Sequence, residues 1–361
     1  MSDLKRCTKC ILPTNFPHIS FSAEGVCNYC EAYRSIRYRG ESALKDLLDT
    51  YRGKGSRYDC VVPVSGGKDS SFVLYQAVRE YGMRVLAVNY DSGFVSDQAK
   101  RNIKNAIRVL GVDCVQTRSK ARAQEAFLKD DIEAWVLNSR SKWNEDLPAL
   151  CTGCREGWLL GSYKIAARLG VPLLLTGDSE LEHGLLTGAL RRYHRSYPIN
   201  LLIRLMRNPF YLHPRRMYHY LLIHAEFSLP AAIYQYVTRA GPRVVHWYDY
   251  ARYDDARILS TVSEKMGWLK PPDSPSAWRF DCEVHAIMES VCRKILGFTQ
   301  KDELYSRMIR EGSLSRSEAL KRVELENRNV EVYLDIANEL LDRLNLSRIK
   351  GHLLRDAETL T

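Results

Sequence analysis

The sequence lacks any long hydrophobic run. No uninterrupted apolar stretch approaches the roughly 20 residues needed to cross a bilayer, and the opening residues, MSDLKRCTKC, lack the apolar segment of a secretory signal. Ten cysteines in 361 residues are also too few for a disulfide scaffold. These absences argue against a membrane-spanning chain and against a disulfide-rich secreted protein. We therefore expect a cytoplasmic protein, in a reducing compartment and without a membrane partner.

The composition is that of a globular protein. Apolar residues make up 45% of the chain, enough to bury the core of one large or two ordinary domains. The formal net charge of +10 favours an anionic partner. Nucleic acid, a nucleotide sugar and ATP all satisfy this condition, and charge alone does not choose among them.

Strand-like and helix-like patterns alternate between residues 59 and 175. The predicted strands cover residues 59–64, 85–90, 113–116 and 171–175, and the predicted helices cover 69–81, 96–110, 121–138 and 154–169. Such alternation predicts an α/β fold with a doubly wound parallel sheet. We expect a metal-binding module at 1–40, this α/β domain at 55–190, and a helical substrate-covering region at 191–361.

The stretch VVPVSGGKDSSF, residues 61–72, predicts a phosphate-binding loop. Gly66 and Gly67 let the backbone pass close to an anion with its N–H groups turned inward, and the following helix adds its positive end. Lys68 supplies a mobile positive charge. A Walker loop would need a glycine at position 62, where the chain has Val62. The loop is therefore of another type.

The string SGGKDS, residues 65–70, resembles the signature of the PP-loop ATP pyrophosphatase superfamily, which has a HUP-like fold. This resemblance implies that ATP is cleaved between its α and β phosphates and that the adenylyl group passes to a carbonyl oxygen of the substrate. It implies that Ser65 to Ser70 hold the triphosphate and Mg²⁺. Lys68 would then neutralise charge as the bond breaks, and Asp69 would orient the loop or the metal.

Two further segments match positions near the nucleotide in that superfamily. AVNYDSGF ends the second predicted strand and nominates Val88, Asn89 and Tyr90 for adenine contact. LLLTGDSELEHG ends the last predicted strand, and by the same resemblance it nominates Gly177, Asp178 and Glu182. The alternative for Asp178 and Glu180 is an ordinary solvated loop, although sites in open α/β sheets do lie at the carboxyl ends of strands.

The first cysteine set predicts a structural zinc site. Cys7 and Cys10 in CTKC are followed, after sixteen residues, by Cys27 and Cys30 in CNYC. This two-plus-two spacing is typical of tetrahedral Zn²⁺ bound by four thiolates. A closed site of this kind stabilises a short segment that would hardly fold without its metal.

The second cysteine set consists of Cys151 and Cys154 in LCTGCREGW, with Cys282 far away in RFDCEVH. Three thiolates suffice to hold a [4Fe–4S] cluster and leave one iron open. The arrangement resembles that of the iron–sulfur-dependent tRNA thiolases. Three alternatives stay open: a second zinc that adds His285, a persulfide-carrying or disulfide-forming CxxC pair, and buried thiols at Cys282 and Cys292.

Over most of its length the chain resembles the N-acetyl sugar amidotransferases. The resemblance rests on residues 7–30, on the loop at 65–72 and on GFTQKDELYSRMIREGSLSRSEAL at 297–320. Those enzymes adenylate an acetamido oxygen and replace it with ammonia from a partner glutaminase. This chain departs from that group in carrying the CxxC of Cys151 and Cys154, and in having GDSELE in place of a GEN-type turn.

Together these features predict a transferase that adenylates a C=O oxygen and then replaces that oxygen. Sulfur is favoured as the incoming atom, because the second cysteine set has no role in ammonia transfer. The substrate would be a nucleobase, a tRNA or a small molecule, and a sulfur-donor protein would be a partner. The alternatives are the amidotransferase with its glutaminase, and a non-catalytic nucleotide- or RNA-binding module.

The segment from residue 191 to 225 is strongly basic, with seven arginines, four histidines and no acidic residue. Arginines with interleaved aromatic residues suit RNA, and Arg191, Arg192 and Arg195 would bind an anionic part of the substrate. The alternative is that the apolar runs NLLIRL and YLLIHA are helical packing faces.

Overall fold

The computed structural model describes residues 5–118, 123–137, 152–182, 214–226, 241–272, 274, 276–328 and 330–351. The strands are β1 (Cys60–Pro63), β2 (Val85–Asp91), β3 (Asp113–Arg118), β4 (Leu173–Thr176) and β5 (Arg243–His246). The helices are α1 (Asn28–Glu31), α2 (Glu41–Tyr51), α3 (Lys68–Tyr75), α4 (Asp97–Leu110), α5 (Ala123–Leu137), α6 (Thr152–Arg168), α7 (Pro214–Glu226), α8 (Asp255–Met266), α9 (Val284–Val291), α10 (Gln300–Arg310), α11 (Arg316–Arg328) and α12 (Val330–Arg343).

The five strands form one parallel sheet in the order β3-β2-β1-β4-β5. In this order β1 is central, and the chain leaves it first toward β2 and β3 and later returns to β4 on the other side. The carboxyl ends of β1 and β4 therefore flank the point where the winding reverses. Ligands of open α/β sheets bind in the crevice at such a point.

Alternate residues of the strands bury opposite faces of the sheet. Val62 and Leu175 pack into the cluster that contains Val73 of α3, whereas Val61 and Leu174 pack into the cluster that contains α6. Strands covered on both faces carry apolar side chains in both directions, as CVVP and LLLT do. The α/β fold with a doubly wound parallel sheet is thus confirmed.

The fifth strand was not predicted. Residues 243–246, RVVH, lie in the region expected to be helical, yet they pair in parallel with β4 from Leu173↔Arg243 to Thr176↔His246. The strand is short and has polar residues at both ends, so its local pattern is weak. Pairing with the apolar edge of β4 supplies the stabilisation that the pattern alone does not indicate.

Helices α8 to α12 make up most of the described chain beyond β5, as expected. One cluster joins Val284 and Ile287 of α9 to Leu340 and Leu341 of α12. Another joins the N-terminal cysteines to Phe298, which precedes α10. In the described part of the chain, no helix has both the length and the apolar content to cross a membrane.

A buried carboxylate holds the start of β1. Asp59 is 1% exposed and accepts hydrogen bonds from the backbone N–H of Gly53 (2.8 Å) and of Arg84 (3.0 Å). The Arg84 guanidinium adds an ion pair at 2.6 Å. Burial by itself would raise the pKa of Asp59, but the bonds from Arg84 and Gly53 hold it below its usual value. These bonds tie β1 to the start of β2.

We expect Asp59→Asn to lower the free energy of unfolding at pH 7 by about 1–3 kcal/mol, because a buried, charge-assisted network is broken. A carboxyl group whose pKa is lowered by folding stabilises the protein at pH values above its pKa in the unfolded chain. This stability is lost as the pH falls through the pKa of the group in the folded protein. The difference between wild type and variant should therefore shrink below about pH 4. Urea unfolding of both proteins at several pH values measures this difference in stability.

The matched control is Asp97→Asn, because Asp97 pairs with Lys100 on the exposed surface of α4. Its effect on the free energy of unfolding should be much smaller than that of Asp59→Asn, because an exposed ion pair contributes little. An Asp59→Asn variant that loses no more stability than this control, or whose loss is independent of pH, would contradict the assignment.

Candidate active site

The loop from β1 to α3 lies at the carboxyl end of the central strand. Gly66 has φ = +85°, a region that favours glycine. A Cβ atom at this position would lie 2.4 Å from the backbone oxygen of Ala99 in α4. Both constraints demand glycine, so the loop can press against α4 before it turns into α3.

The carbonyl of Gly66 is held from two directions. It accepts a hydrogen bond from Trp268 Nε1 at 2.9 Å and one from Asn102 Nδ2 at 3.2 Å. Trp268 follows α8 and is buried, and Asn102 also bonds the backbone oxygen of Leu269 at 2.8 Å. The shape of the loop therefore depends on Asn102 and on Trp268, which is about 200 positions away, and the motif alone did not indicate either contact.

The loop presents N–H and O–H groups beside the start of α3. The Ser65 backbone N–H donates to Ser70 Oγ at 3.2 Å, and the Gly67 N–H donates to Ser65 Oγ at 3.2 Å. The Ser71 hydroxyl donates to the Gly67 carbonyl at 2.8 Å. Helix α3 starts at Lys68 with its positive end directed to this loop. Backbone donors at a helix start form an anion-binding arrangement.

Lys68 is a buried cation. It is 3% exposed, and its Nζ lies 2.9 Å from Asp69 Oδ1 and 3.1 Å from Asp255 Oδ1, with a further hydrogen bond to the Tyr253 hydroxyl. Burial would lower the pKa of Lys68, but the charges of Asp69 and Asp255 outweigh burial and raise it. The expectation of a mobile charge was wrong, because three acceptors fix this ammonium group.

Tyr253 and Asp255 were missed by the sequence reasoning. Asp255 is the first residue of α8, and it also accepts a hydrogen bond from Arg322 of α11 at 2.9 Å. In the stretch YDDARIL, Asp254 is the N-cap of α8, so the local sequence explains the first of the two acidic residues. Only the fold shows that the second acid reaches Lys68.

Four carboxylates line the cavity beside the loop: Asp69, Asp178, Glu182 and Asp281. Burial, and then the charges of Glu182 and Asp255, raise the pKa of Asp69 to about 6 despite the opposing effect of Lys68. Burial also raises the pKa of Asp281. Glu182 accepts a hydrogen bond from Trp278 Nε1 at 2.6 Å. The loop therefore lies next to crowded negative charge that Lys68 does not fully compensate.

The ends of β4 and β5 meet at a hydrogen-bonded group. His246 Nδ1 lies 2.9 Å from Asp178 Oδ1 and 2.8 Å from Thr176 Oγ1, and Thr176 also bonds Asp178. Asp178 lines the cavity together with Gly177, and a Cβ atom at Gly177 would lie 3.0 Å from the Asp69 carbonyl. Asp178 is thus a partnered residue of the site and not part of a solvated loop, whereas Glu180 is exposed.

The end of β2 holds the end of β1 in place and also contributes to the cavity wall. Asn89 Nδ2 donates to the Val64 carbonyl at 2.8 Å, and the Val64 N–H donates to Val88 O at 2.8 Å. These bonds hold the last residues of β1 in place. Tyr90 lines the cavity, whereas the described cavity wall does not include Val88 or Asn89. Adenine contact by these three residues stays a prediction.

One cavity, of about 260 Å³, is lined by residues of the loop and by two of the cysteines. Cys154, near the start of α6, and Cys282, which precedes α9, both line it. Cys282 is placed by an antiparallel bridge to Val95, after β2. The fold therefore brings together residues 65–70, Cys154 and Cys282, which are far apart in the sequence.

The described members of the second set do not form a compact single-ion site. A tetrahedral zinc with 2.3 Å bonds holds its sulfur ligands about 3.8 Å apart. Among the described residues, the ligand atoms of Cys154, Cys282 and His285 do not all lie within 4.8 Å of one another. A [4Fe–4S] cluster binds each thiolate to a different iron and so holds them farther apart. The metal bound by the second set therefore stays a prediction.

The N-terminal set does form a compact four-cysteine site. The Sγ atoms of Cys7, Cys10, Cys27 and Cys30 lie within 4.8 Å of one another, with pairs at 3.7 and 3.9 Å. All four are buried. Hydrogen bonds from Cys27 and Cys30 lower the pKa of Cys10, which favours a thiolate. This geometry fits a single tetrahedral ion.

This four-cysteine site is docked on the C-terminal helices. Arg316 donates to the backbone oxygens of Cys7 and Cys10 at 3.1 and 2.9 Å, and Arg310 lies 3.8 Å from Cys10 Sγ. Two arginines beside a thiolate cluster offset its negative charge. The site therefore joins the start of the chain to α10 and α11.

Several predicted residues lie outside the described ranges. They are Cys151, the third member of the second cysteine set, and the basic residues Arg191, Arg192 and Arg195. Two other cysteines, Cys60 and Cys292, are completely buried in hydrophobic clusters, as expected for core thiols.

No protein-family model and no curated protein sequence matches the chain. Among solved structures it is similar to NMN synthetase from Francisella tularensis, at 13% identity, covering 80% of this chain and 91% of that one, with a TM-score of 0.37. It is also similar to the U34-tRNA thiolase NcsA from Methanococcus maripaludis with its [4Fe–4S] cluster, at 11% identity, covering 94% of this chain and 88% of that one, with a TM-score of 0.34. At these values neither similarity identifies a substrate or a reaction for this chain.

We expect Gly66→Ala to disturb the loop severely, because its Cβ would meet the Ala99 carbonyl at 2.4 Å and its φ is positive. The loss of stability should exceed about 2 kcal/mol, since a steric clash adds to backbone strain. Urea unfolding measures the stability.

Gly111→Ala is the matched control, since Gly111 also has a positive φ but a Cβ there meets nothing within 4 Å. It should lose about 1 kcal/mol of stability. Equal losses in the two variants would show that the contact with Ala99 is unimportant.

Proposed function

We propose that this protein is an ATP pyrophosphatase-type transferase that adenylates a carbonyl oxygen of its substrate and then replaces this oxygen. The observation that carries the proposal is the shared cavity, in which the anion-binding loop 65–70 and the sulfur side chains of Cys154 and Cys282 face the same space. A phosphate site alone would suit many ATP-binding proteins. A phosphate site beside two thiols suits activation followed by sulfur transfer.

The loop supplies the contacts that ATP requires. The N–H groups and hydroxyls of residues 65–71, with the N-terminal end of α3, would hold the phosphates. Lys68 would stabilise the negative charge that accumulates as the bond between the α and β phosphates breaks. Because Lys68 is already fixed by Asp69 and Asp255, its charge needs little reorganisation during the reaction.

The carboxylates beside the loop fit Mg²⁺. Asp69, Glu182 and Asp281 offer oxygen ligands, which Mg²⁺ prefers. The raised pKa values of Asp69 and Asp281 reflect burial and negative charge that a divalent cation would relieve. Bound Mg²⁺ would neutralise the charge of the triphosphate and of the departing pyrophosphate.

The proposed reaction has two displacement steps. The substrate carbonyl oxygen attacks the α phosphorus of ATP, the bond from this phosphorus to the bridging oxygen breaks, and pyrophosphate leaves. A sulfur nucleophile then forms a bond to the activated carbon, and the carbon–oxygen bond breaks as AMP leaves with the former carbonyl oxygen. The first step converts a poor leaving group into a good one.

Cys154 and Cys282, with Cys151, would hold a [4Fe–4S] cluster. Such a cluster, bound by three thiolates, supplies an open iron that can carry sulfide. The side chains of Cys154 and Cys282 lie on the wall of the cavity that is also lined by Lys68 and Asp69. A separate sulfur-donor protein would supply the sulfide.

The N-terminal four-cysteine site would hold structural Zn²⁺. Its four sulfur atoms leave no open coordination position, and the site is packed against α10 and α11. We therefore assign it to stability and not to the reaction.

Ammonia is the second candidate for the incoming group. It is favoured by the resemblance of residues 7–30, 65–72 and 297–320 to the N-acetyl sugar amidotransferases. In this case a partner glutaminase would deliver ammonia, and the product would be an acetamidino sugar. The metal content of the protein separates the two candidates.

We expect Lys68→Ala to reduce substrate-dependent pyrophosphate release at least 100-fold, because about 2.7 kcal/mol or more of electrostatic stabilisation is removed. The release is measured with bulk tRNA and, separately, with UDP-N-acetylglucosamine. Circular dichroism and urea unfolding check that the variant folds, and Lys68→Arg serves as a second variant that keeps the charge.

The control is Lys100→Ala on the exposed surface of α4, which should keep full activity. Full activity of a folded Lys68→Ala protein would refute the ATP assignment. If the wild-type protein binds ATP but releases no pyrophosphate with either substrate, a non-catalytic nucleotide-binding module becomes the better interpretation.

Protein purified without oxygen should contain about four irons per chain, with labile sulfide, and one zinc. Cys282→Ala should lose the iron and keep the zinc, because only the second cysteine set is broken. Cys114→Ala, in β3 and outside the cavity wall, is the matched control and should keep both metals. Two zinc ions and no iron would instead support amidotransfer.

A further inference from the structure

Helix α5 forms one wall of the cavity, and the proposed reaction gives this wall no role. Gln124 and Leu128 lie one turn apart on the same face of α5, and both line the cavity. On another part of the helix, Asp130 bonds His219 Nδ1 at 2.5 Å, and Glu133 lies 3.5 Å from Arg216. These contacts with α7 hold α5, and with it Gln124, in place.

Gln124 carries a polar atom that lacks a partner. Its side chain is 4% exposed, and its Oε1 has no hydrogen-bond partner among the residues that the structure describes. A buried amide oxygen without a partner costs free energy, and native proteins rarely tolerate it unless a ligand or water satisfies it. Because Gln124 also lines the cavity, a bound ligand can supply the missing donor.

The surroundings of Gln124 restrict the kind of ligand. Tyr90, Trp158 and Trp278 line the same cavity and offer aromatic surface, and Leu128 and Met288 add apolar surface. An acceptor in such surroundings selects a ligand with a well-placed N–H group, because a wrong ligand would leave the acceptor unpaired. The Oε1 atom of Gln124 is an acceptor, so it can pair with the N–H of a secondary amide or of a ring imide.

We propose that Gln124 is the residue that selects the substrate, by accepting at its Oε1 atom a hydrogen bond from the N–H of a secondary amide or imide group. The proposal rests on the proposed function, since an amide oxygen is the kind of carbonyl oxygen that attacks phosphorus readily. Two sources share this chemistry: the ring imide of a uracil base and the acetamido group of an N-acetylated sugar. Replacement of the oxygen would give a thioamide or an amidine, so the proposal does not depend on the incoming atom.

Binding of four small probes to the full-length metal-loaded protein tests the proposal. Uridine 5′-monophosphate is compared with its N3-methyl derivative, and N-acetylglucosamine 1-phosphate is compared with glucose 1-phosphate. Calorimetry is carried out in the presence of α,β-methylene-ATP, so that no turnover is required. We expect one probe with the amide N–H to bind at least about tenfold more tightly than its counterpart, and the pair that shows this preference identifies the source.

Gln124→Leu should abolish the preference, so that the two members of the pair bind with equal affinity, while α,β-methylene-ATP binds as before. Glu125→Leu places the same side chain at the adjacent, exposed position of α5 and should keep the preference. Equal binding of both members by the wild type, failure of all four probes to bind, or a preference that survives in Gln124→Leu would each overturn the proposal.

The outcome for Gln124 is separable from that of the proposed function. If the protein does not bind α,β-methylene-ATP and yet shows a probe preference that Gln124→Leu removes, the ATP assignment fails and the role of Gln124 stands. If the ATP analogue binds and no preference exists, the role of Gln124 fails alone.

Discussion

The buried ammonium group of Lys68 is the interaction on which the arrangement of the site depends. A charge that is 3% exposed needs partners of opposite sign, and Lys68 finds one in Asp69 and another in Asp255, at the start of α8. Asp255 in turn binds Arg322 of α11, and α11 begins at Arg316, which bonds the four-cysteine site. One charge at the loop thereby links the α/β sheet, the C-terminal helices and the N-terminal cysteines.

The cavity beside this charge has two chemically different parts. Near the loop it is lined by carboxylates, hydroxyls and the start of α3, which suit a metal-bound triphosphate. Elsewhere on its wall it carries Cys154, Cys282, Gln124 and aromatic side chains, which suit an organic substrate. Under the proposed function, an adenylated intermediate formed in the first part would meet its nucleophile without leaving the cavity. Under the same proposal, the shared space would limit the access of water to this intermediate.

Sequence reasoning was most successful where the information is local. The strands β1 to β4 and the helices that follow them were predicted because apolar periodicity and loop residues lie next to each other in the chain. The four N-terminal cysteines were predicted to form one site for the same reason, since CxxC pairs define spacing directly. Sequence reasoning failed at β5, whose four residues have little pattern of their own. It also failed at Lys68, whose fixed position depends on Tyr253 and Asp255.

The amino-acid sequence by itself determined the doubly wound sheet, the position of the glycine-containing loop between β1 and α3, and the four-cysteine site. Each of these depends on residues that are neighbours in the chain, so short-range sterics and spacing are sufficient. Only the tertiary structure decided that Trp268 and Asn102 hold Gly66, that Asp255 reaches Lys68, and that Cys154 and Cys282 face the loop. These contacts join residues up to about 200 positions apart, and only the packing of the complete chain brings such residues together.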